Sequence, residues 1–174
     1  MADDLSAFRA RVRGVYVLGI FSAAFGFVEA AVVYDLRHIV GSPSPIVPTH
    51  YRTLLNLGFV TFIQPSRSLL ATGDLGRVET VREACTLVML LAIAWLAAHR
   101  FTRRLGAFLI AFGTWDLTYY LWLRVILHWP TSLLTRDVFF LIPVPWIGPV
   151  LTPLVISLLL VVGGVRLYLR PELA

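Results

Sequence analysis

The run from Gly14 to Tyr34 carries a single charged side chain, Glu29. About 20 helical residues cross roughly 30 Å of hydrocarbon, so this run is long enough to span a bilayer. A spanning segment has to satisfy its own backbone hydrogen bonds, which for one isolated run means a helix. Three further stretches have the same character: Val78 to Ala98, Leu105 to Leu127, and Trp146 to Val165. In the last, Pro149 and Pro153 fall in the first turns, where a missing amide hydrogen costs little. The rest of the composition agrees. Of 174 residues, 58% are hydrophobic and 14% charged, with mean hydropathy +0.80. Soluble domains are about 45–50% apolar and about 25% charged. A single domain over 1–174 has no core large enough to hide that excess. A soluble enzyme, a disordered chain and a nucleic-acid module are excluded on this ground. The expected fold is an all-α membrane protein, a four-helix transmembrane bundle.

All fifteen basic residues are arginine. A pI near 10 would suit nucleic acid, but these arginines flank the apolar runs instead. Arg9, Arg11 and Arg13 precede the first run. Arg100, Arg103 and Arg104 fill the turn between the second and third, and Arg166 and Arg170 follow the fourth. Arginine-rich short loops stay cytoplasmic, so both termini are expected inside. The first run continues well past Ser22-Ala23-Ala24, which favours a span over a cleaved leader. Two shorter apolar segments, 53–63 and 133–142, are expected on the outer side as interfacial or re-entrant helices, since neither reaches across hydrocarbon.

Four blocks are distinctive as a set: FGFVEAAVVYDLR (25–37), VREACTLVML (81–90), GTWDLTYYLW (113–122) and WPTSLLTRDVFFLIPVPWIGPVLTP (129–153). Together they resemble a group of small bacterial integral membrane proteins that carry no assigned activity. The resemblance implies a multi-pass chain of the bacterial inner membrane and brings no catalytic residues with it. No HExxH, GxSxG, Walker A loop or heme-attachment CxxCH occurs.

Ionisable groups at membrane depth mark functional sites by default. Glu29, Glu83 and Asp116 lie in the outer halves of three different runs. Ser22, Gly26 and Glu29 share a helical face, as do Gly106, Gly113, Asp116, Tyr120 and Arg124, while Glu79, Arg82, Glu83 and Thr86 are neighbours on a third helix. The expected site gathers Glu29, Glu83 and Asp116 as ligands or proton acceptors. Arg82 and Arg124 are its counter-charges, and Tyr119 and Tyr120 its hydrogen-bond donors. Paired structural charges are the alternative. A metal version adds His128 to the three acids, although a histidine at a helix end is more often an interfacial polar group, as for His38 and His50. Asp137 is expected either to point to water or to cap the site, Trp129, Trp146 and Trp95 to form interfacial belts, and Cys85 to be a small buried hydrophobe. A single cysteine excludes a disulfide framework and a cysteine-based zinc site.

Two functions follow from these residues. One is an intramembrane site open to the outer side that binds a cation or a lipid-soluble ligand such as a quinone, with catalysis left open and no heme or Fe–S motif present. The other is an accessory structural subunit of a larger respiratory, photosynthetic or transport complex. Expected partners are the lipid bilayer and other membrane subunits or further copies of the chain, with no nucleic acid.

Overall fold

A computed structural model of the protein describes residues 2–41, 50–65 and 73–170. The elements run α1 (Ala2–Val40), β1 (Tyr51–Asn56), β2 (Thr61–Pro65), α2 (Gly73–Ala97), α3 (Phe101–Leu127), β3 (Arg136–Phe140), β4 (Trp146–Pro149) and α4 (Leu151–Leu169). The strands connecting α1 to α2 and α3 to α4 meet at one end of the bundle. There they form a single antiparallel sheet ordered β1-β2-β4-β3.

The architecture is therefore helical with a four-stranded cap, and the expectation of an all-α bundle is overturned. Segments 53–63 and 133–142 are strands rather than interfacial or re-entrant helices. They are rich in threonine, valine, isoleucine and phenylalanine, side chains that suit a pleated surface. Gly58 takes φ +85°, a conformation open to glycine, and its amide donates to Asn56 Oδ1 at 2.8 Å, so β1 turns back on itself. The two hairpins join through Thr61↔Ile147 and Phe62↔Trp146. Trp146–Pro149 is likewise a strand, so the last helix starts at Leu151, not at Trp146. The sheet is tied to that helix start. Leu151 N donates to Leu133 O at 2.8 Å and Thr152 Oγ1 to Phe59 O at 3.0 Å.

Three helices are long and apolar enough to cross a membrane, through Leu5–Ile39, Gly76–Ala97 and Leu151–Leu169. The expected fourth span, 105–127, does not qualify, because Asp116, two threonines, two tyrosines and two tryptophans dilute its apolar run. α3 is instead the central helix, packed most extensively on α4 and α1. Gly106, Ile110, Ala111, Gly113, Asp116, Tyr120 and Leu123 are buried along it. Many outward-facing residues elsewhere are large and apolar, with Ile20, Leu96 and Leu159 more than 60% exposed. Exposed apolar side chains in this number suit lipid or a partner surface better than water.

Close approach of α4 to α3 requires a glycine. A Cβ on Gly113 would sit 2.6 Å from the backbone oxygen of Ser157 and 2.8 Å from Val161 Cγ2. Gly163, one face away, has open space around it. Gly113→Ala should therefore destabilise the protein by about 1–3 kcal/mol through overpacking. Gly163→Ala should be neutral or stabilising by up to about 1 kcal/mol through helix propensity. Unfolding in detergent checks the pair; equal midpoints for the two variants would contradict the packing assigned to α3 and α4.

Candidate functional site

Just beneath the sheet, α1, α2 and α3 enclose a cavity of about 50 Å³. Glu29, Arg82, Glu83, Asp116, Tyr119 and Tyr120 all line it, together with Thr86, Trp115, Phe139 and Phe140. Six of the seven residues expected to form the binding site are thus brought to one place by three helices and roofed by β3.

Each acid is held differently. Glu29 is 5% exposed; it is ion-paired to Arg82 and accepts a hydrogen bond from Thr86 Oγ1 at 2.7 Å. Arg82 also reaches Glu79 on its own helix, with Nη2 at 2.9 Å from Oε2. One guanidinium thereby serves two carboxylates. Glu83 accepts from the backbone amides of Leu141 at 2.8 Å and Ile142 at 3.4 Å, which pins the chain after β3 onto α2. Asp116 accepts from Ser157 Oγ of α4 at 2.7 Å, immediately beside the Gly113 contact. Neither Glu83 nor Asp116 forms an ion pair among the described residues. Trp115 Nε1, from a lining residue, is buried without a hydrogen-bond partner among the described residues. An enclosed donor of that kind calls for an acceptor, such as a water.

Arg124 and His128 are not part of this wall. Arg124 is exposed and donates to the carbonyls of His128 (2.6 Å) and Pro130 (3.2 Å), stitching the end of α3 to the following loop. His128 is the left-handed cap residue of α3, at φ 54°, and is exposed. Among the described residues, no three or more of histidine, cysteine, aspartate and glutamate are grouped to hold a metal ion. The four-residue metal set is therefore not assembled.

Other expectations also change. Asp137 is buried, not solvated; Tyr120 Oη donates to its Oδ2 at 2.8 Å. Trp129 is 5% exposed rather than an interfacial anchor, with the Arg37 guanidinium 4.3 Å from its ring centroid. Cys85 is exposed, because the face that turns Arg82 and Thr86 inward turns Cys85, Val81 and Val88 outward. Thr86, a neighbour of Arg82 on α2, lines the interior as its spacing suggests, whereas Ser157 belongs to it without having been singled out. For Thr86 the available signal was its spacing of four from Arg82; for the burial of Asp137 against Tyr120 of α3, no local signal existed. Tyr120 also lines a second groove, which touches Arg124, Ser132 and Leu133.

No family model, curated protein or solved structure matches the chain.

Removing one partner of a buried ion pair strands the other, at a cost of about 3–5 kcal/mol. Arg82→Gln strands both Glu29 and Glu79, whereas Glu29→Gln leaves Arg82 paired with Glu79. Arg82→Gln should be the more damaging variant, and the double variant less damaging than the sum of the two. Strict additivity in denaturant unfolding would contradict the pairing.

Burial pushes the Asp137 carboxyl up to about 6, opposed by its bonds from Tyr120 and the Val138 amide and by Arg37. A carboxyl with a higher pKa folded than unfolded favours folding in its neutral form. That contribution is full below about pH 4 and is lost as pH climbs to about 6, in total about 3 kcal/mol for a shift of about two units. Wild type should lose that stability relative to Asp137→Asn across this window and run parallel to it above. A constant difference from pH 4 to 6 would contradict the assignment.

Proposed function

We propose that this is an integral membrane protein whose polar cavity binds a small hydrated cation. In this reading the sheet lies on the outer side of a bacterial inner membrane and the arginine-rich α2–α3 turn on the cytoplasmic side, in line with the arginine distribution and the resemblance of the four blocks. One observation carries the cation: three carboxylates and one guanidinium line a single cavity, and that guanidinium is already shared with Glu79. A cation offsets the remaining charge, which is costly in low dielectric.

The volume favours a cation over a quinone. About 50 Å³ holds a few waters at roughly 10–15 Å³ each, whereas sites for organic ligands run to about 300–1,000 Å³. Among the described residues no three-ligand grouping occurs, and an ion that keeps part of its water shell needs none. Glu83 and Asp116 supply the charge, Tyr119 an aromatic wall, and ordered water an acceptor for Trp115 Nε1. Tyr120, shared between the cavity and the second groove, is the gate through which an ion would pass.

A second reading has its own support. Every acid in the wall has an internal donor: Arg82 and Thr86 for Glu29, backbone amides for Glu83, Ser157 for Asp116. A fully braced cluster suits an accessory structural subunit of a larger membrane complex. The two readings part in one experiment. Thermal unfolding of the purified protein is followed in LiCl, NaCl, KCl and choline chloride at equal ionic strength. The cation site predicts a rise for one small cation, worth about 2.7 kcal/mol at a hundredfold excess over its Kd, and lost in Glu83→Gln/Asp116→Asn. Identical midpoints in all four salts would sink the cation site and leave the structural reading.

A further inference from the structure

At the end of the bundle opposite the sheet, a separate cavity of about 350 Å³ lies between the start of α1, the α2–α3 turn and the end of α4. Arg11, His99, Arg100 and Arg103 line it, beside Tyr168, and none of the described lining residues is acidic. Tyr168 Oη is committed elsewhere, donating to Ala97 O at 3.0 Å across the wall. Arg104, next in sequence, is committed too: its Nε donates to Ala98 O at 2.8 Å and its guanidinium stacks 3.4 Å from the Trp95 ring centroid.

Arg11 is different. It is half-buried, and its Nε is enclosed without a hydrogen-bond partner among the described residues. A charged donor withdrawn from water needs an acceptor. α3 also starts at this point, with Arg100 at its N-cap, no side-chain cap and no acidic residue in its first turn, so the positive end of the helix adds to the field. Arg100 and Arg103, which have interactions of their own, add positive charge along the same wall, and the Nε of Arg11, unpartnered among the described residues, calls for an anion. The planar fork of a guanidinium matches the oxygens of a phosphate in particular.

We propose that this cavity binds a phosphate group, supplied by the headgroup of an anionic phospholipid or by the free ion. Its volume falls in the range of small-molecule sites. Basic pockets between membrane helices are where anionic headgroups settle. Leu96 and Phe101 flank the lining residues in sequence and are each 78% exposed, which gives the chains of a bound lipid apolar surface to follow. The site is independent of the acidic cavity at the other end.

The test is native mass spectrometry of the full-length, delipidated protein incubated with phosphatidylglycerol or phosphatidylcholine, with thermal unfolding in inorganic phosphate as a parallel arm. A lipid source predicts phosphatidylglycerol adducts about tenfold over phosphatidylcholine, falling about tenfold in Arg11→Gln, the scale of one lost charge-assisted bond. Arg11→Lys should retain part of the binding. Arg13→Gln, which removes an equal charge from an exposed position, should retain nearly all of it. Protection by inorganic phosphate that Arg11→Gln abolishes, with no lipid preference, assigns the site to the free ion. Equal adducts of both lipids with no phosphate effect would overturn the proposal. So would equal losses in Arg11→Gln and Arg13→Gln, which would mark a general surface field. Should Arg11→Gln fail to fold, the wild-type lipid and phosphate arms decide alone.

Discussion

A carboxylate in the middle of a long apolar helix is stranded unless another element brings it a partner, and Glu29 on α1 finds that partner in Arg82 on α2. The two helices make few other direct contacts, so this polar connection, reinforced by Thr86, does what packing does elsewhere. With α2 held in this position, Glu83 lies under the chain that leaves β3 and binds its amides. The sheet is thereby tied down over the cavity through the same helix turn that neutralises Glu29. Buried ion pairs often add little net stability compared with well-packed apolar residues. Their value here is register, since the rotation and height of α2 have to satisfy Glu29 and the sheet together.

α3 takes its character from being surrounded. A helix that faces lipid on one side has to be apolar there, whereas α3, packed on α4 and α1, is free to carry Asp116, Thr118, Tyr119 and Tyr120. Ser157 comes within bonding distance of Asp116 because Gly113 lets α4 close one turn away. Gly26 does the same for α1, where a Cβ would lie 2.9 Å from the Trp115 carbonyl. Small residues at these crossings thus have a consequence beyond packing. They bring polar groups from separate helices onto one cavity.

The two ends of the molecule carry opposite chemistry. Carboxylates and tyrosines gather beneath the sheet, and arginines gather at the α2–α3 turn around a cavity of their own. Much of this was readable in advance. Helical spacing put Glu29 with the small residues of its face, and Asp116 with Gly113 and Tyr120, because i, i+3 and i+4 neighbours share a side of any helix. The same rule failed for Arg124, two turns beyond Asp116, because the helix ends there and its loop carbonyls offered nearer acceptors.

What the sequence determined by itself was the part governed by local arithmetic: long apolar helices, the arginine-rich end, and the inward faces of α1 around Glu29 and of α3 around Asp116, since side-chain period and solvation cost act within one segment. Only the tertiary structure decided the rest. Segments 53–63 and 133–142 are too short for periodicity to separate helix from strand. They became strands by pairing, β1 with β2 and β3 with β4, and the two hairpins joined where Thr61 meets Ile147 and Phe62 meets Trp146, partners separated in the chain by α2 and α3. Asp137 was buried where β3 meets Tyr120 of α3, and Cys85 exposed by the rotation that Arg82 imposes on α2. Each of these outcomes depends on contacts between distant segments, and no window of neighbouring residues carries that information.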